Sequence, residues 1–249
     1  MKKIFLLAIP FLLASFVEPS KKRKIWLCGD STIAIKQVNT YPETGWGMPF
    51  VHFWDSTIQV NNLAKNGRST KTFINEGLWQ QVIDGASEGD YVFIQFGHND
   101  ESKEKVERYT NPEEFKANLT KFVKEARVLK ATPILLTPVS RRKFDEVGVA
   151  QESHKVYSQL VKEVADAEDV LFIDLDTKSR SLYQEFGKEK STLLFLQLNA
   201  GEHPNYPEGK IDNTHFSELG ARLIAQLVLK EIRALNTDLN NHIFVPKKK

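Results

Sequence analysis

The sequence predicts an α/β protein: a mostly five-stranded parallel sheet with helices on both faces, a three-layer α/β/α sandwich. Two observations carry this. Short apolar runs recur along the chain with little apolar/polar alternation, as in strands buried on both sides. Between them lie stretches whose apolar residues repeat at helical spacing, and strand–helix alternation favours parallel pairing. The composition is that of an ordinary globular protein, 41% hydrophobic and 27% charged over 249 residues. A chain of that length buries a sizeable core without disulfide staples. No linker-like stretch or internal repeat interrupts it, so residues 19–249 read as one domain.

The elements follow in order. Ile25–Cys28 is an apolar run closed by Gly29, a first strand. Ile58–Leu63 is a weaker strand before the turn Asn66-Gly67. Tyr91–Phe96 is apolar and aromatic with a single Gln, and Ile134–Thr137 and Val170–Asp174 repeat its style. Asn111-Pro112-Glu113-Glu114 is a helix start, with Asn as N-cap, Pro in the first position and acids in the first turn. Phe115, Leu119, Phe122, Val123, Ala126 and Leu129 then mark one apolar face. Gln151–Ala167 and Ser217–Leu235 show the same periodicity.

The chain opens with Lys2 and Lys3, then Ile4–Phe16 without a charge. That run is too short to span about 30 Å of hydrocarbon as a helix. It reads as a signal peptide over residues 1–18, predicting export to the periplasm or the exterior with no membrane anchor after cleavage. The plainer alternative is a buried N-terminal element. A lone cysteine, Cys28, excludes an intrachain disulfide and a multi-cysteine metal site. The formal charge of +2 speaks against a dedicated nucleic-acid binder.

In such sheets ligands bind beyond the carboxyl ends of the strands. Polar, turn-forming clusters stand at those ends: Gly29-Asp30-Ser31-Thr32, Asn66-Gly67-Arg68-Ser69, Gly97-His98-Asn99-Asp100 and Pro138-Val139-Ser140-Arg141-Arg142. Asp212-Asn213-Thr214-His215 precedes the last helix. These blocks resemble, in order and context, those of the SGNH (GDSL-type) hydrolase superfamily over about residues 25–235. With Thr44-Gly45-Trp46-Gly47 and Phe216, they are most similar to its rhamnogalacturonan acetylesterase branch. The resemblance implies a flavodoxin-like fold and a secreted serine esterase that removes O-acetyl groups from pectic polysaccharide. It also implies an oxyanion hole made by the Ser31 N–H, the Gly67 N–H and the Asn99 side-chain amide. A lipid esterase, lysophospholipase or thioesterase on the same scaffold is one alternative. A catalytically idle carbohydrate-binding module is another, although no triad member is missing.

The chemistry also follows from the residues. A serine hydroxyl needs an adjacent base. His215 is the best candidate, because Asp212 three residues earlier can curl back to hold its tautomer. Without that context Asp212–His215 would be an Asx-turn leading a surface His into a helix. His215 is expected on a loop fixed by the helix beginning at Ser217-Glu218. Gly67 and Asn99 taken alone would be a plain turn and a loop-capping Asn. Asp30 is expected to hold the nucleophile turn.

Gly85-Ala86-Ser87-Glu88-Gly89 matches a nucleophile-elbow string. That motif needs a strand before its serine and a helix after; here the order is reversed, so Ser87 reads as a turn residue. No zinc, Walker or dinucleotide motif occurs, so no metal or cofactor is expected. Arg68, Arg141, Arg142 and Lys143 are candidates for pairing a uronate carboxylate, or are solvated surface charge. Trp46 is a candidate for stacking a sugar ring, or a packed core residue. His98 is a candidate pocket residue, or packs in its loop, and His154 reads as surface or structural. The expected partner is an acetylated polysaccharide or oligosaccharide, met by a monomer; the segment from Ile243 through the final lysines either docks or frays.

Overall fold

The computed structural model describes residues 22–246. The signal-peptide reading and the last three lysines fall outside them. Seven strands and seven α-helices are present among the described residues. The strands are β1 (Arg23–Gly29), β2 (Ile58–Asn62), β3 (Tyr91–Gln95), β4 (Thr132–Leu136), β5 (Leu171–Ile173), β6 (Phe195–Leu198) and β7 (Lys210–Phe216). The helices are α1 (Gly47–Phe50), α2 (Thr70–Asn75), α3 (Leu78–Gly85), α4 (Pro112–Val128), α5 (Lys155–Ala167), α6 (Leu175–Lys190) and α7 (Glu218–Ala234).

Strands β1 to β5 form one parallel sheet in the order β2-β1-β3-β4-β5. Alternate side chains enter opposite faces, which divides the core in two. Ile25, Leu27, Phe93, Ile134 and Leu136 pack with α1, α6 and α7. Trp26, Cys28, Val92, Ile94 and Leu135 pack with α2, α3, α4 and α5. The expected three-layer sandwich is therefore present. Burial pushes the Cys28 thiol upward, which keeps it an inert core residue. In this strand order the chain winds away from β1 in both directions, and the crevice between the carboxyl ends of β1 and β3 is where ligands bind.

Helix α4 forms as its sequence dictates: the Asn111 side chain accepts from the Glu114 N–H at 2.9 Å, Pro112 opens the helix, and Phe115, Leu119, Phe122, Val123 and Ala126 are buried. Helix α7 starts at Ser217, whose hydroxyl accepts from the Gly220 N–H. Ser87 lies in the turn between α3 and β3, where its N–H and hydroxyl donate to Asp90 Oδ2. Ile243 and Phe244 dock on Trp54 and Phe53 through backbone pairing.

The structure corrects two expectations. Helix α5 begins at Lys155 rather than Gln151, because the preceding residues are held as a loop: Gln151 N–H donates to Lys143 O and Ser153 Oγ accepts from Arg141 N–H. Asp212–His215 lie within strand β7, not on a loop; β6 and β7 form a second, antiparallel sheet. Strand β7 is mostly polar and Ile211 is exposed, so it carries little of the apolar signal that marks the buried strands.

Candidate active site

The site is assembled at the β1/β3 crevice from four segments. Ser31 follows β1 in a turn whose Asp30 carbonyl accepts from the Ile33 and Ala34 N–H groups. Asp30 is fully buried, and its Oδ1 accepts from the Thr32 N–H and hydroxyl, both at 2.8 Å. Its Oδ2 faces His98 Nδ1 at 3.4 Å. Burial pushes the Asp30 carboxyl upward, but His98 and the Thr32 donors outweigh it and hold it at about 2. Asp30 thus braces the turn, as expected.

Asn66 and Gly67 follow β2. Gly67 has φ +79°, a conformation glycine adopts without strain, and a Cβ there would approach Arg108 Nη1 to 3.3 Å. The loop then enters α2 through a capping box between Ser69 and Thr72. Asn99 follows β3, where its side-chain amide donates to Arg68 O at 2.9 Å. Asp100 Oδ1 beside it accepts from the Thr70 N–H and hydroxyl at 2.9 and 2.6 Å, locking the third segment to α2.

Strand β7 supplies the rest. Asp212 Oδ1 accepts from the Thr214 and His215 N–H groups at 2.7 and 3.0 Å. Asp212 Oδ2 lies 2.8 Å from His215 Nδ1, and His215 Nε2 lies 3.0 Å from Ser31 Oγ. Burial pushes the Asp212 carboxyl up, but the His215 hydrogen bond and charge and the two N–H donors hold it well below the usual carboxylate range. An ionised carboxylate requires the proton on Nδ1, which leaves Nε2 free to accept from the serine. The arrangement is chemically able to activate a hydroxyl.

Ser31, Gly67, His98, Asn99, Arg141 and His215 line one cavity of about 430 Å³. His98 is both a lining residue and a packed one, its ring tilted against that of His154 at 4.1 Å between ring centroids. Burial and the neighbouring His154 bring its pKa down to about 4, so it is neutral at pH 7. His154, read as surface or structural, is buried and its Nδ1 lies 2.8 Å from Glu101. Arg141 donates to Thr214 Oγ1 at 2.5 Å. Arg142 instead braces the second sheet through Asn213 and Ser191.

Two substrate-binding expectations change. Trp46 is 0% exposed, donates to Gln95 Oε1 and packs edge-on against Phe50, so it has no face to offer a sugar. Arg68 is engaged with Glu76 and the Asn66 carbonyl and does not line the cavity. Arg108 and Lys105, from the loop after β3, take that place. The sequence reading also missed Lys36 and Glu43. Lys36 is buried and pairs with Glu43 at 2.6 Å, and Glu43 lines the cavity. Burial pulls the Lys36 ammonium below its ordinary value, with the Glu43 carboxylate opposing. A Lys and a Glu in a loop of no periodicity give no signal that they meet. Among the described residues, no group of three or more His, Cys, Asp or Glu is placed to hold a metal ion, and no helix is long and apolar enough to cross a membrane.

A serine turn, an imidazole and a carboxylate brought together at the switch point of a 2-1-3-4-5 sheet are the arrangement of a serine hydrolase of SGNH type. The chain belongs to the GDSL-like Lipase/Acylhydrolase family of carboxylic ester hydrolases, whose model matches residues 27–223. It is 40% identical over 223 residues to the rhamnogalacturonan acetylesterase RhgT of Bacillus subtilis (strain 168), covering 90% of this chain and 95% of that protein. It is 38% identical over 224 residues to the probable rhamnogalacturonan acetylesterase YesY of the same organism, covering 88% and 96%. The crystal structure of YxiM from Bacillus subtilis superposes with a TM-score of 0.76 at 26% identity, covering 89% of this chain and 59% of that longer one.

Proposed function

We propose that this protein is an exported carbohydrate acetylesterase that removes O-acetyl groups from rhamnogalacturonan, acting as a monomer. The observation that carries the reading is the continuous chain from Ser31 Oγ through His215 to Asp212, at 3.0 and 2.8 Å, opening into a polar cavity. The similarity to rhamnogalacturonan acetylesterases supports the substrate, and the charged-then-apolar opening over residues 1–18 supports export.

Ser31 Oγ attacks the acetyl carbonyl carbon while His215 Nε2 takes its proton, and Asp212 stabilises the imidazolium that results. The Ser31 and Gly67 N–H groups and the Asn99 amide meet the oxyanion; one such donor is worth about 10²–10³ in rate. Collapse breaks the bond to the sugar oxygen, which leaves as a neutral hydroxyl after accepting the proton from Nε2. Water, deprotonated by the same nitrogen, attacks the acyl carbon; the bond to Ser31 Oγ breaks, Oγ takes the proton back from Nε2, and acetate leaves. Arg108, Lys105 and Arg141 outnumber Glu43 and Glu104 in the cavity lining, which suits a uronate backbone. Charged walls suit a short acyl group on a polar alcohol better than a long aliphatic chain.

Acetate release measured side by side on acetylated rhamnogalacturonan, acetylated xylan and a lysophospholipid tests this. The reading predicts the highest kcat/KM on the pectic polymer. Preference for xylan would overturn the substrate, and preference for the lysophospholipid would overturn the carbohydrate class.

A further inference from the structure

Glu43 holds a place in the cavity that the proton-transfer chain does not use. Its Oε1 stands 4.0 Å from His215 Nε2, and its side chain is only 11% exposed. That oxygen is itself buried and held in place. The buried Lys36 Nζ lies 2.6 Å from the same oxygen and also donates to the Ser31 carbonyl at 2.5 Å and to Asn66 Oδ1 at 2.8 Å. One ammonium therefore ties Glu43 to the nucleophile turn and to the Gly67 loop. The segment carrying Glu43 is clamped from outside: Asn205 Nδ2 donates to the Val38 and Tyr41 carbonyls, and the Tyr206 hydroxyl to the Thr40 carbonyl. This carboxylate is held by design of the surrounding chain, despite the desolvation such burial costs.

Its position says what it faces. The departing oxygen must accept a proton from His215 Nε2, so the alcohol half of the ester sits within hydrogen-bond reach of that nitrogen. Glu43 lines the cavity beside that nitrogen, with Oε1 taken up by Lys36, so a substrate donor meets the carboxylate's other oxygen. In a sugar ester the carbon next to the ester-bearing one commonly carries a hydroxyl, which is a donor. An ionised carboxylate is an acceptor only. We infer that Glu43 accepts a hydrogen bond from the free hydroxyl adjacent to the ester-bearing carbon, and that Lys36 is its positioning residue. Glu43 then sets a preference for acetyl groups flanked by an unsubstituted hydroxyl. The inference rests on the carbohydrate reading above. Two other roles, steadying the His215 imidazolium or bracing the nucleophile turn, would act on every ester alike.

The test compares kcat/KM on two methyl glycosides. One carries a single acetyl ester beside a free hydroxyl; in the other that hydroxyl is capped as a methyl ether. An aryl acetate serves as the reference ester. The wild type should favour the free-hydroxyl glycoside. Glu43→Gln should cut that ratio about ten- to hundredfold, the range for a hydrogen bond to a charged group. Glu43→Asp keeps the counter-charge of Lys36 but withdraws the carboxylate by one methylene; it should lower the same ratio while retaining a folded protein by thermal melting. Equal losses on both glycosides, or a wild type without preference between them, would overturn the assignment. A wild type that cleaves the aryl acetate but neither glycoside would overturn the carbohydrate reading and this contact with it, a result distinct from loss of preference alone.

Discussion

Replacing Asp212 by Asn changes one atom that matters. The Asn carbonyl can take over the bonds that Asp212 Oδ1 accepts from the Thr214 and His215 N–H groups, at 2.7 and 3.0 Å in the wild type, so the local geometry of β7 is expected to persist. What changes is the group facing His215 Nδ1 at 2.8 Å, which turns from a carboxylate oxygen into an amide donor. Nδ1 must then accept, the ring proton moves to Nε2, and Nε2 no longer receives the proton of Ser31 at 3.0 Å. The expected loss in kcat is about 10⁴, equivalent to roughly 5 kcal/mol of transition-state stabilisation. Stability changes in a defined direction. The carboxyl is depressed in the folded state, so its contribution is present above the unfolded value near 3.9 and is lost as pH falls below it. Wild type and Asp212→Asn should therefore converge in thermal midpoint toward pH 2. The assay is kcat on an aryl acetate and on acetylated polymer between about pH 5 and 9, beside thermal melts. A folded Asp212→Asn variant losing less than about tenfold would refute the tautomer argument.

Three further outcomes are expected. Asp100 is fully buried, and burial, partly offset by the Thr70 donors, raises its carboxyl to about 7. The folded state then holds a proton that the unfolded chain releases between about pH 4 and 7, so its contribution to stability falls as pH rises through that window. Asp100→Asn should flatten this slope and raise the melting midpoint at pH 8 relative to wild type; an unchanged slope would contradict it. Arg108→Ala and Arg141→Ala should lower kcat/KM on the anionic polymer about ten- to hundredfold more than on a neutral acetate, an effect weakening with salt, whereas Arg68→Ala should change that ratio less than about threefold. Trp46→Ala should cost about 3–5 kcal/mol of stability in urea titration and leave the ratio between polymer and neutral ester in place; a selective loss on the polymer would return Trp46 to the binding surface.

The parts legible in the sequence are those whose signal is local and repetitive. Strands β1, β3 and β4 show because both faces are buried, whereas the edge strand β2 is half-exposed and gives a weaker signal; α4 shows because its cap, first-turn acids and apolar face agree. The Ser31 and Asp212–His215 segments were legible because each joins a turn or an element end to a residue type with few other uses. Strand β7 was not, since a polar, half-exposed strand looks like a loop. Arg68 and Trp46 illustrate the limit: each stands beside a site motif in sequence, yet one turns to Glu76 and the other into the core. Lys36 and Glu43 show the converse, since their meeting depends on the path of the segment between them and on the clamp from Asn205 and Tyr206.

The central claim is that Ser31 carries the acyl group. Acetate release from acetylated rhamnogalacturonan by purified Ser31→Ala, with its fold checked by circular dichroism and thermal melting, tests it most directly. The account predicts a loss of several orders of magnitude, as for removal of a triad nucleophile. Wild-type-like turnover by the folded variant would contradict it.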